Sequence, residues 1–191
     1  MESYGSQSRA ARWPLLLLLL LLALPALLAA QTASEYDVKA AFLYNFTKFV
    51  DWPSDAFPDP GSLKVCVLGD NPFGASLQTI AGELVGNRKL TVMRTDSLAR
   101  PAGCQVLFIS RSERERVPQI LAAVKGSPVL TVGDTKGFAD EGVIINFVLE
   151  GSKVRFEINT DSAERAGLKI SSKLLQLAKR IVTNPGARPG P

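Results

Sequence analysis

Hydrophobic positions along this chain change period several times, and each change predicts an element. Ser34 with Asp37 three residues on reads as a capping box, and Glu35 can pair with Lys39 one turn later. At helical spacing Val38, Phe42, Phe46, Phe49 and Val50 share one arc, with Asp37, Tyr44, Thr47 and Lys48 opposite. Lys39 and Asn45 interrupt that pattern. Pro53 disfavours helical geometry at Trp52, and Pro58 and Pro60 keep the chain extended.

After this helix the pattern predicts strands and helices in alternation. Leu63 to Leu68 is a short apolar strand, followed by a turn from Gly69 to Gly74. Ala75 to Leu84 reads as a helix, and Lys89 to Arg94 as a strand with one wet face. Gln105 to Ile109 and Pro128 to Val132 are continuous apolar runs, of the kind buried on both faces. Between them, Glu113 to Val124 reads as a helix ended by Gly126.

Val143 to Leu149 and Lys153 to Ile158 flank Glu150-Gly151-Ser152, which predicts a hairpin. In its second strand Val154, Phe156 and Ile158 face one side, and Arg155, Glu157 and Asn159 the other. Asp161 and Glu164 open a short helix that Gly167 ends. Ser171 or Ser172 caps a last helix with Leu174, Leu175, Ala178 and Ile181 on its buried face. The expected fold is a single-domain α/β sandwich over 34–182, with a mixed β-sheet, helices on both faces and an antiparallel hairpin in the C-terminal part. Residues 183–191, rich in proline and glycine, read as a disordered tail.

The first thirty residues carry a different signal. Arg9 and Arg12 precede an uncharged run from Trp13 to Ala30, with Leu15 to Leu22 unbroken and alanines at its end. An uncleaved anchor is the rival, since such a run is near the shortest that spans a bilayer. Pro25, the alanines and the lack of a flanking positive charge favour a cleaved signal peptide over 1–30, and hence the periplasm. Losing Arg9, Arg12 and Glu2 leaves 20 basic and 17 acidic side chains, a net charge of +3. That excess is too small and scattered to mark a nucleic-acid protein.

Two cysteines, Cys66 and Cys104, remain in the exported part. An even count in an oxidising compartment suggests a disulfide, and two buried thiols are the alternative. The chain has no histidine, which excludes histidine-based triads and histidine-rich metal sites. The Gly69 to Gly74 turn lacks both the dinucleotide glycine spacing and a phosphate-loop lysine. Ser171-Ser172-Lys173 reads as a helix cap rather than a serine–lysine dyad. Nothing combines a nucleophile, a base and an oxyanion donor, so we expect no catalytic residue, no metal and no cofactor.

Several stretches together carry a family resemblance. They are Val38-Lys-Ala-Ala-Phe-Leu-Tyr-Asn-Phe-Thr-Lys-Phe-Val-Asp-Trp-Pro53, Val65-Cys-Val-Leu-Gly69, the strand around Cys104 and Pro128-Val-Leu-Thr-Val132. Val154-Arg-Phe-Glu-Ile-Asn159 and Gly167-Leu-Lys-Ile-Ser-Ser-Lys-Leu-Leu-Gln-Leu-Ala178 follow in order. Over about residues 35–182 this resembles the YfiR family, once known only as a domain of unknown function.

The resemblance implies an α/β domain, commonly a homodimer. It implies a periplasmic repressor that binds the periplasmic part of an inner-membrane diguanylate cyclase or another signalling protein, lowering cyclic-di-GMP and biofilm formation. An OmpA-like outer-membrane lipoprotein would sequester it. Cys66 and Cys104 fall on one of the family's cysteine pairs, and a second pair near Ala139 and Asn146 has no counterpart here. Glu157 falls on an acidic position of the family's partner surface, with Arg155 and Asn159 beside it, and Ile145 stands where the family has an aromatic residue. The alternative expectation is a periplasmic small-ligand sensor feeding a histidine kinase or a transport system.

Overall fold

In the computed structural model, described over residues 34–96 and 103–183, the capping box opens helix α1 (Glu35–Lys48). Ser34 Oγ accepts from the Asp37 amide at 3.2 Å, and Asp37 Oδ2 accepts from the Ser34 amide at 2.9 Å. Strand β1 (Val50–Asp51) follows and pairs antiparallel with β9 (Lys169–Ile170). The leader expected over 1–30 and the tail from Asn184 onward lie outside the described residues.

The remaining strands form one eight-stranded sheet. They are β2 (Ser62–Leu68), β3 (Leu84–Val85), β4 (Arg88–Thr95), β5 (Val106–Ile109), β6 (Leu130–Gly133), β7 (Ile145–Glu150), β8 (Lys153–Asn159) and β10 (Arg180–Val182). Their spatial order is β10-β8-β7-β6-β5-β2-β4-β3. The central run β4-β2-β5-β6-β7 is parallel throughout. β8 returns antiparallel to β7 as the expected hairpin, and β10 then runs parallel to β8.

Alternation along the central strands divides the core between two layers. Val65, Val67, Val106 and Phe108 face α1, where Leu43 and Phe46 meet them. Cys66, Leu68, Leu107 and Ile109 face the opposite way, toward α2 (Val117–Ala123) and α3 (Phe138–Glu141). Two short helices, α4 (Thr160–Arg165) and α5 (Ser172–Leu177), add Ala163 and Leu174 to the α1 layer. The mixed-sheet sandwich with helices on both faces is therefore the observed fold.

Several local expectations are corrected. The buried face of α1 is rotated: Lys39, Ala40, Leu43, Phe46 and Thr47 are inside, with Thr47 Oγ1 donating to the Tyr44 carbonyl at 2.6 Å. Ala75 to Leu84 makes only a 3-10 turn at Ser76–Thr79, because Gly82 and Glu83 bond to Leu90 and draw the chain into the β3–β4 ladder. The helix expected from Glu113 starts at Val117, after a 3-10 turn over Arg111–Arg116, with Pro118 in its first turn where a missing N–H costs least. The last helix stops at Leu177, so Ile181 lies on β10 and is 43% exposed. Helix α3 was not expected; it sits between Gly137 and Gly142, both at positive φ.

Sheets of this order usually bind ligands where neighbouring strands lead off to opposite faces, here above β2 and β5. That position is filled by the chain itself. The Asp70 amide donates to Ser112 Oγ at 3.0 Å. A Cβ on Gly69 would lie 2.4 Å from Ser112 Oγ and 2.8 Å from Glu113 Cγ. Gly69, at φ +83, is thus required both for its conformation and for this close approach.

Candidate functional site: a charged cleft at the end of β6

Strand register places Gly133, Asn146, Glu157 and Arg180 in one row across β6, β7, β8 and β10. Cross-strand partners share a face, and this row faces the α2 and α3 layer. At its inner end Phe138 packs directly on Gly133, where a Cβ would come within 2.5 Å of the ring. At its outer end two carboxylates meet one guanidinium. Arg180 donates from Nε and Nη2 to Glu157 at 2.8 and 2.9 Å, and from Nη1 and Nη2 to Asp140 at 2.8 and 2.9 Å.

This double fork ties β8, β10 and α3 together through charge-assisted bonds. The hydrogen bonds it donates to Asp140 and Glu157 push the Arg180 pKa further up. The reciprocal bond from Arg180 holds the Asp140 carboxyl below its ordinary value.

A second charged group stands across the same cleft. Lys39 of α1 is buried and pairs with Asp134, just past β6, at 2.8 Å and with Glu35 one turn back. Tyr36 donates its hydroxyl to the same Asp134 oxygen at 3.0 Å, and the Lys39 ammonium lies 4.3 Å from the Tyr36 ring centre. Burial works to lower the Lys39 pKa, but the hydrogen bonds it donates to Asp134 and Glu35 outweigh it and the net direction is upward. Burial raises the Tyr36 pKa, and the Asp134 charge adds to it.

The two groups line a cleft of about 510 Å³, which opens where β6 ends and β7 runs on through Phe147 and Val148. Of its three cations among the described residues, Lys39 and Arg180 are each held by two carboxylates, and Lys136 completes the set. Such an arrangement fixes the charges in place, and β6, β7, β8 and β10 set their geometry.

The structure separates the residues that the sequence grouped. Glu157 is half-buried in the row and Arg155 is exposed two residues away on the same face of β8. Asn159 is fully buried, accepting from the Ser162 amide to cap α4 and donating to the Ala139 carbonyl, both at 2.8 Å. Ile145 is fully buried against the α1 layer, opposite Ile158. Neither offers surface in this arrangement: Asn159 is tied to α3 through Ala139, and Ile145 points into the α1-side core. Cys66 and Cys104 form a disulfide with Cα atoms 5.9 Å apart, joining β2 to the segment that enters β5.

Asp134, Asp140 and Arg180 carry no sequence signal of a site. Only Glu157 and the Glu35–Lys39 spacing point toward this cleft. Asp140 sits on the unexpected helix α3, and Arg180 was placed within a helix that ends earlier.

Comparison with known proteins supplies the context for this geometry. The family described as YfiR/HmsC-like matches residues 36–179. A crystal structure of a conserved domain protein from Vibrio cholerae is similar at 12% identity with a TM-score of 0.55. The match covers 78% of this chain and 60% of that one. The ABC domain in complex with L-Trp from Streptococcus pneumonia is similar at 11% identity with a TM-score of 0.50, covering 75% of this chain and 60% of that one. The chain thus spans about 60% of the length of either solved structure, and at these identities the likeness is one of fold.

Proposed function

The chain belongs to the YfiR/HmsC-like family of periplasmic regulators in cyclic-di-GMP signalling, and on that premise we propose that it binds and represses an inner-membrane signalling enzyme, a diguanylate cyclase. The observation that carries the docking part of this reading is the charged row of Glu157, Arg180 and Asp140 at the cleft mouth, where Arg180 and Asp140 reach solvent and exposed Arg155 lies beside them. A partner's periplasmic domain would meet this row through complementary charge, which favours rapid and selective encounter more than raw affinity. Asn159 and Ile145 support the row from beneath. An OmpA-like outer-membrane lipoprotein would compete for the protein and relieve repression.

A homodimer belongs to the same reading. Strand β10 is a short sheet edge, and Leu177 and Ile181 near it are exposed at 58% and 43%, which offers an apolar contact to a second copy. Export through a cleaved signal peptide places the protein in the periplasm, in keeping with the disulfide.

The test is a deletion of the gene and a membrane pull-down with the tagged protein. Deletion should raise cyclic-di-GMP, attachment and exopolysaccharide, and the pull-down should recover a membrane cyclase. Unchanged cyclic-di-GMP across growth conditions would overturn the cyclase part. One observation favours the sensor reading instead: a mostly apolar cleft of about 450 Å³ between α2 and α4, lined by Leu121, Val124, Val129 and Ile144 with Arg165 beside them. A ligand-dependent rise in melting temperature, lost when Ile144 is enlarged to Phe, would support it.

A further inference from the structure

A third cleft, of about 390 Å³, lies between the end of α1, β1 and the β3–β4 hairpin. It shares no lining residue with the Glu157 cleft. Trp52 and Arg88 both line it, and Trp52 Nε1 and Arg88 Nε are buried donors with no acceptor. Buried donors are nearly always satisfied, and a charged one is the costliest to leave bare.

The surrounding side chains hold both donors in place. The Arg88 guanidinium lies 3.7 Å from the Phe57 ring centre, and Phe57 meets the Trp52 ring edge-on with centroids 6.0 Å apart. No carboxylate among the described residues pairs with Arg88. The lining is mixed: Thr47, Ser54 and the charged groups are joined by apolar patches from Val50, Leu63 and Val85.

We propose that this cleft binds a small monocarboxylate with an apolar body. Its two oxygens accept from Trp52 Nε1–H and Arg88 Nε–H, and its hydrocarbon part lies against Val50, Leu63 and Val85. The charge balance selects a monoanion: Lys48, Asp51 and Arg88 line the cleft, and they sum to one positive charge. A dianion such as phosphate would carry a second charge without a partner. The volume suits a ligand of this size with room for water. The proposal is independent of partner docking, because the two clefts have no lining residue in common.

Indole N–H resonances of the full chain read the site directly. The sequence has two tryptophans, Trp13 and Trp52, and the Trp52 signal is the one lost in Trp52→Phe. Titration with hexanoate should move that signal saturably, while hexanamide, of the same shape but neutral, should bind at least about ten-fold more weakly. Arg88→Leu should weaken hexanoate binding by a similar factor.

The hexanoate–hexanamide comparison needs no variant, so it stands even if Arg88→Leu folds poorly. A Trp52 signal that stays still, or that moves equally with both compounds, overturns the proposal. So does a folded Arg88→Leu protein that binds hexanoate as the wild type does.

Discussion

The Arg180 guanidinium closes on the Glu157 carboxylate through two hydrogen bonds of 2.8 and 2.9 Å, across strands that lie 23 residues apart in sequence. Arg180 is 44% exposed along its side chain and Glu157 is 14% exposed. The pair is therefore poised between structural and recognition roles. Solvent screening limits its contribution to folding to about 1 kcal/mol. A double-mutant cycle with Arg180→Met and Glu157→Gln should return a coupling of that order and a melting shift of about 2–4 °C. Charge reversal by Glu157→Lys should cut partner capture at least about ten-fold while the protein stays folded. Undiminished capture by the folded variant would remove this row from the docking surface.

Asp140 supplies a pH dependence with a defined sign. Its folded pKa is held down by Arg180, so the contribution it makes is whole above the unfolded value of about 3.9. That contribution is lost as pH falls through the folded value. Carboxyl resonances followed by NMR should show Asp140 titrating below an ordinary aspartate, and Arg180→Gln should bring it back up. An unchanged midpoint in the variant would show that Arg180 is not the cause.

These long-range pairs also explain which parts of the fold the sequence could reveal. The Ser34–Asp37 cap, the apolar runs ending at Leu68 and Ile109, and the Val154–Ile158 alternation are local signals, and each predicted its element. The face of α1 was misjudged because Lys39 is buried by Asp134, 95 residues further on, and no local pattern carries that partner. Arg180 reaches Asp140 across 40 residues, through a strand that starts just after Ala178 turns extended. Of the four residues expected to meet a partner, Glu157 and Arg155 reach the surface. Asn159 alternates onto their face, yet it is buried by its bond to Ala139 of α3 and by capping α4.

The disulfide should dominate stability among the covalent and polar features. Its ends are 38 residues apart, for which loop closure gives about 4 kcal/mol in the chain-entropy model. Denaturant unfolding of the Cys66→Ala, Cys104→Ala double variant should show a loss of that order. Thiol titration of the unreduced wild type in denaturant should find no reactive thiol. Two titratable thiols would show that the bond is absent from the protein as made.

Lys39 and Asp134 provide the sharpest test of the charged cleft as a folded feature. Their side chains are 4% and 7% exposed, so the pair lies out of water, and Glu35 is the second partner of Lys39 at the rim. Asp134→Ala leaves the ammonium buried beside one partly exposed carboxylate and removes the acceptor of the Tyr36 hydroxyl. Removing one member of a buried pair costs about 3–5 kcal/mol, and the remaining Glu35 places this case near the lower end, about 3 kcal/mol. Lys39→Met together with Asp134→Leu removes both charges and should recover most of that loss, since desolvation no longer opposes folding. Because the folded pKa of Lys39 is raised, its stabilisation is complete below about pH 10.4 and disappears only as pH rises through the folded value. Unfolding at neutral pH therefore reads the intact pair. If Asp134→Ala proved as mild as a surface substitution, within about 0.5 kcal/mol, the pair would not be buried and the inner wall of the cleft would have to be redrawn.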